Sequence, residues 1–192
     1  KKKLTLTASS NDINFFNKLG FIVGDLGYVL KTADSGNSWT KISTGFNVSF
    51  NTVNVINNTT IILSSSNSIV KSTDGGITWT SLSIPNADVN KTFFNSELIG
   101  HAACKNGRML KTIDGGQNWY VSQSTNVFPS DFFTVYFINE KVGFSSQQHS
   151  KVFKTTDGGE TWIEITGISQ AIYDFYFLNE NIGFVTGDSG AT

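Results

Sequence analysis

KTTDGGETW occupies Lys154–Trp162. Three near-copies precede it: KTADSGNSW from Lys31, KSTDGGITW from Lys71 and KTIDGGQNW from Lys111. The opening lysines are spaced by 40, 40 and 43 residues. A repeat of about 40 residues without helical patterning indicates propeller blades of four strands each. The fold therefore turns on what surrounds each copy.

Upstream of the first and last copies, and once more after the last, stands an apolar run followed by Gly-Phe: FFNKLGFIVG at 15–24, FINEKVGFSS at 137–146 and FLNENIGFVT at 177–186. Such runs, broken by Asn, Glu and Lys, read as two strands and a tight turn. Short turns follow: GDLG at 24–27, SSSN at 64–67, CKNG at 104–107, QQHS at 147–150 and GDSG at 187–190. A third strand (YVLKT, SIVKS, RMLKT, KVFKT) leads into the phrase, and a fourth (TKIS, TSLS, YVSQ, IEIT) leaves it. Trp162 and Glu164 alternate with Ile163 and Ile165, the period of two of a strand with unlike faces. The expected fold is all-β, a β-propeller of four-stranded antiparallel blades. Blades are expected at about 12–43, 52–83, 91–123 and 133–166, with a partial blade at about 173–192. Residues 4–8 read as the outer strand of a neighbouring blade. Five blades would leave the last one without its third strand and with open edges, so the chain is read as part of a longer protein with a ring of about seven blades.

The phrase spans the turn between the third and fourth strands. An Asp at the head of a turn can accept hydrogen bonds from the backbone N–H groups ahead of it. The glycine at 36, 76, 116 and 159 fits a position of positive φ. The tryptophan can cover the turn with a large apolar ring. The reading is structural: Asp34, Gly36, Trp39, Asp74, Gly76, Trp79, Asp114, Gly116, Trp119, Asp157, Gly159 and Trp162 close hairpins and perform no catalysis. Lys31, Lys71, Lys111 and Lys154 read as solvated strand positions that discourage edge pairing.

The four copies match S/T-x-D-x-G-x-S/T-W, departing only at Asn118, and so resemble the Asp-box, or BNR, repeat. The longer stretch GFIVGDLGYVLKTADSGNSW at 20–39 resembles the repeat of photosystem II stability/assembly factor-like proteins. That resemblance implies a propeller that binds other proteins, has no known reaction and is exported to the periplasm, the cell surface or beyond. The photosynthetic member is associated with an arginine-rich patch; this chain has one arginine, Arg108, which sets that binding mode apart.

Function is expected at the other end of the blades, where loops differ from copy to copy. The candidate binding face comprises Asp25, Phe46, Asp88, Lys105, Phe128, Asp131, His149 and Asp188. The expected partner is a protein, with carbohydrate as the weaker expectation. The alternative is an Asp-box glycoside hydrolase. A sialidase would need three arginines around its substrate carboxylate, against the one present. A xyloglucan-active enzyme would need two carboxylates about 6.5–9.5 Å apart if inverting, for which Asp25 and Asp188 are the candidates.

Composition narrows the rest. Charged residues make up 15% and the net charge is −1, without the basic stripe of a nucleic-acid binder. The lone Cys104 excludes an internal disulfide and a cysteine-based zinc site. His101 and His149 fall in different parts of their repeats, as ordinary strand and turn residues rather than a metal pair. No metal or cofactor is expected, and no apolar run of 18 residues exists to span a membrane.

Overall fold

The structure, a computed structural model, describes residues 8–84, 87–122, 130–179 and 181–188. The expected outer strand at 4–8 and the last residues of the partial blade fall largely outside these. Two compact units are present, Lys1–Asn86 and Ala87–Thr192.

The first unit holds two four-stranded antiparallel sheets. Strands β1 (Ser10–Phe16), β2 (Leu19–Gly24), β3 (Val29–Thr32) and β4 (Thr40–Ile42) form one, in chain order. Strands β5 (Thr52–Val55), β6 (Ile61–Ser64), β7 (Ser68–Ser72) and β8 (Thr80–Ser83) form the other. The second unit repeats the plan with β9 (Val89–Phe94), β10 (Gly100–Cys104), β11 (Met109–Thr112) and β12 (Tyr120–Val121). A further sheet follows from β13 (Phe132–Phe137), β14 (Gly143–Gln147), β15 (Lys151–Thr155) and β16 (Ile163–Ile165), and then a hairpin of β17 (Ile172–Asn179) and β18 (Ile182–Gly187). These are the all-β, four-stranded blades that the sequence leads one to expect.

Burial follows position in the blade. The second strands β2, β6 and β10 are buried at every residue, each lying inside its sheet between the first and third strands. The fourth strands are mostly exposed. In the first unit Phe21, Phe50, Val53, Ile61 and Val70 make the core; in the second, Met109, Phe132, Val135, Phe137 and Trp162 do.

The Gly-Phe signature has a packing cause. Gly20, Gly100, Gly143 and Gly183 each stand opposite a phenylalanine across the first hairpin: Phe15, Phe94, Phe137 and Phe177. A Cβ on Gly143 would come within 2.8 Å of the Phe137 ring, and one on Gly20 within 2.3 Å of Phe15. The ring lies over the bare backbone and needs the missing side chain. The second blade solves the same contact with two aliphatic residues, Val55 opposite Ile61.

Candidate functional site

Each repeated phrase folds back on itself. In the first copy Asp34 Oδ1 accepts the Ser38 N–H at 2.9 Å and Oδ2 accepts the Ser38 hydroxyl at 2.6 Å. The Thr32 hydroxyl donates to Asp34 Oδ1 at 2.7 Å and accepts the Gly36 N–H at 3.1 Å. The other copies repeat this: Ser72 with Asp74, Thr112 with Asp114 and Thr155 with Asp157. The departure at Asn118 is chemically silent, since its amide donates to Asp114 Oδ2 at 2.8 Å where a hydroxyl does so elsewhere. Two successive residues take positive φ, Ser35 (61°) and Gly36 (85°) in the first copy and Gly158 (75°) and Gly159 (83°) in the last. In the first and third copies the tryptophan Nε1 closes the turn on Gly36 O and Gly116 O, each at 3.1 Å.

These bonds favour the ionised carboxyl. The Ser38 and Thr32 hydroxyls hold Asp34 at about 2. The Asn118 backbone and side-chain amides hold Asp114 at about 2. At Asp157 desolvation acts upward, but the Thr161 and Thr155 bonds outweigh it and leave the group at about 2. Carboxylates so depressed and so fully engaged are poor general acids.

The phrase is also tied to the first hairpin of its own blade. The amides of Ser35, Gly75, Gly115 and Gly158 donate to the carbonyls of Lys18, Thr59, Leu98 and Lys141. Two of the repeated lysines bind the turn of the following blade. Lys31 Nζ donates to Gly75 O at 2.6 Å. Lys111, only 8% exposed, pairs with Glu160 at 2.5 Å. The reading of these two as solvated edge residues is therefore corrected: an extended third strand aims a long side chain at the adjoining sheet, where an unpaired turn carbonyl or carboxylate receives it. Lys154 is exposed, with its ammonium 5.7 Å from the Phe144 ring centre.

The opposite ends of the blades carry the variable loops. In the first unit, Asp25 begins a 3-10 turn and its carboxylate accepts Asn11 Nδ2 at 3.1 Å. The crossing that follows is pinned to that turn by Gly27 N–H to Val48 O at 2.8 Å and Phe50 N–H to Gly24 O at 3.1 Å. Phe46, expected among exposed aromatics, instead packs half-buried against the core, because this pinning turns the crossing inward. Leu26, absent from the expected binding face, stands 78% exposed at the tip of the same turn with φ 54°. The sequence does carry a signal for it: an apolar residue at the centre of a Gly-Asp-Leu-Gly turn has no turn role of its own.

In the second unit the crossings again meet the turns. Lys105 N–H donates to Asp88 O at 2.8 Å, Gln148 N–H to Asp131 O at 3.0 Å and Asp188 N–H to Ala171 O at 3.1 Å. Asp131 also accepts the Asn106 N–H at 3.0 Å, so it bridges two blades. Asp88, Lys105 and His149 are exposed, and His149 has φ 63°. Asp188 is exposed and accepts the Tyr173 hydroxyl at 2.7 Å, which pushes the phenol's pKa up. Asp88, Lys105, Asp131, His149 and Asp188 thus share one end of this unit. Asp25 and Phe46 sit at the corresponding end of the first, so Asp25 and Asp188 belong to different units. Phe128 lies outside the described residues. Cys104 is buried and desolvation pushes its thiol up to about 12, so it is inert. Among the described residues no group of three His, Cys, Asp or Glu is placed to hold a metal, and no helix is long and apolar enough to cross a membrane.

Comparison with known proteins places this geometry. Residues 1–88 match the family described as photosynthesis system II assembly factor YCF48. A structure of YCF48 bound to D1 peptide is similar over 98% of this chain and 80% of its own, at 17% identity and TM-score 0.57. The WD40 β-propeller domain of Doa1 is similar over 96% of this chain and 64% of its own, at 10% identity and TM-score 0.71. The GH74 xyloglucanase from Xanthomonas campestris is similar over 88% of this chain but 32% of its own, at 11% identity and TM-score 0.69. No curated protein matches the sequence. The chain has the blades of a β-propeller and resembles the photosynthesis system II assembly factor YCF48 family, whose model matches its residues 1–88.

Proposed function

We propose that this chain is a non-catalytic Asp-box propeller scaffold that binds a protein segment through the loop ends opposite its boxes. The observation that carries the reading is the spending of both box carboxylate oxygens on each turn's own hydrogen bonds, which leaves the boxes nothing to offer a substrate. The opposite ends keep unlike exposed groups: Leu26 in the first unit, and Lys105, His149 and Tyr173 in the second. Likeness to a YCF48 structure that holds a D1 peptide supports a peptide as the ligand class. Export, expected from the family resemblance, belongs to the same proposal.

The test is selection from a displayed random-peptide library against the full chain, followed by titration of the selected peptides into variants. Leu26→Ser or Tyr173→Ser should weaken binding at least several-fold, while Asp157→Asn should leave it unchanged in a folded protein. Failure to select any peptide, loss of binding only in the box variant, or release of reducing sugar from xyloglucan would overturn the proposal.

A further inference from the structure

His101 is fully buried in the second unit, on β10. Its ring stacks on Phe137 of the next blade, with centres 4.0 Å apart and planes at 21°. It also rests on that blade's turn glycine: a Cβ on Gly159 would lie 2.8 Å from Cε1 and 2.9 Å from Nδ1. Neither ring nitrogen has a hydrogen-bond partner among the described residues. A buried imidazole without partners is unusual, because even its neutral form carries one N–H and one lone pair that prefer to be satisfied.

The first unit shows what the position does when it does not titrate. Phe21 stands at the same place on β2, opposite Lys31 as His101 stands opposite Lys111. Its ring approaches the next turn's glycine in the same way, 2.9 Å from where a Cβ on Gly76 would be, and packs edge-on against Trp79. The position is a wedge between successive blades. Phenylalanine fills it on β2 and histidine on β10.

A proton on the histidine wedge has no anion to meet. Lys111 faces it from β11, and that ammonium opposes a second positive charge. Glu160, on the fourth-blade turn, is already paired with Lys111. Asp157 is engaged by Thr155 and Thr161 within the same turn. Tyr120 pairs with Lys111 across β11 and β12. Residues on β9 and β13 face the ring with Phe93 and Phe137, which do not ionise. We propose that His101 makes the contact between the third and fourth blades an acid-released wedge, closed at neutral pH and opened when the ring takes up a proton in mild acid.

Burial, and then Lys111, hold the imidazole well below its ordinary 6.5, down to about 3 in the folded chain. A base with a lowered folded-state value contributes full stability above the unfolded value. That contribution is lost as pH falls from about 6.5 toward 3, since the open form binds the extra proton. One proton per opening changes the opening equilibrium by up to about tenfold per pH unit.

The test is amide hydrogen exchange of the fourth-blade turn, residues 155–162, in the full chain between pH 7 and 4.5, corrected for intrinsic rates. In the native sequence protection should fall up to about tenfold per unit below about pH 6. In His101→Phe, which copies the chain's own Phe21, it should stay level. Parallel pH profiles for the two proteins would overturn the proposal. Should His101→Phe fail to fold, the His101 ring resonances of the native protein decide. Titration of His101 near its ordinary value in a still-folded protein would also overturn the proposal; silence down to the point of opening would support it.

Discussion

Replacing Thr155 by valine tests the hydroxyl at the second position of the phrase, on which its turn depends. Thr155 is 1% exposed. Its Oγ1 accepts the buried Gly159 N–H at 2.9 Å and the Asp157 N–H at 3.3 Å, and donates to Asp157 Oδ1 at 2.7 Å. Valine keeps the β-branch and nearly the same volume, so neither cavity nor backbone strain confuses the result. What changes is the loss of one acceptor and one donor. A buried N–H left without an acceptor costs about 1–3 kcal/mol, and a hydrogen bond to a charged group contributes about 1.5–3 kcal/mol. The two losses share one turn that can partly relax, so a net destabilisation of about 2–4 kcal/mol is expected.

Urea unfolding followed by tryptophan fluorescence reads this directly, since Trp162 is buried on the same turn. Thr155→Ser is the control. The second copy uses Ser72 in this role, with the Gly76 N–H at 2.8 Å, so the serine variant should retain stability to within about 1 kcal/mol. Valine and serine variants of equal stability would refute the assignment of the hydroxyl as the turn's central acceptor.

Two further outcomes follow from the same geometry. Gly143→Ala drives a methyl to 2.8 Å from the Phe137 ring, which is itself wedged between His101 and Trp162; a cost of about 1–3 kcal/mol is expected by chemical denaturation, and a neutral result would show that the ring is free to move. The turn carboxylates set a pH window below that of the histidine: Asp34, Asp114 and Asp157 are lowered from 3.8 to about 2 on folding, so their contribution is complete above the unfolded value and is lost as pH falls from about 4 to 2. Urea midpoints of His101→Phe measured from pH 5 to 2 should hold level and then drop, and a level profile down to pH 2 would contradict the turn bonding.

The repeat and its strands are legible because both leave periodic marks: Asp, Gly and Trp at fixed offsets, and four apolar runs in about 40 residues. The roles inside the repeat are less legible. The hydroxyl at Thr32, Ser72, Thr112 and Thr155 is present in all four copies, whereas the later slot accepts Asn118. That constancy marks the more demanding site: it must accept a backbone N–H and donate to a carboxylate at once, while the later slot needs side-chain donation alone. The lysines mislead for a related reason. A sequence shows that a lysine lies on a strand but not that a turn carbonyl of the neighbouring sheet waits within its reach, as Gly75 O does for Lys31. Phe46 packs inward because the crossing folds onto the turn through backbone bonds that leave no trace in residue type.

The copies differ in two places, and the two carry different information. Loop differences, such as Leu26 against Asn106 and His149, change what an approaching molecule meets without touching the bonds of the repeated turn. Differences on the face turned to the next blade change how firmly neighbours hold. There Phe21 corresponds to His101, and the Lys31 bond to a carbonyl corresponds to the Lys111 pair with Glu160. A turn that consumes its own carboxylates can be repeated unchanged because those carboxylate bonds are made within the turn itself. The wedge depends on both blades it separates, and so it is where one junction can be made to answer to acid while another is not.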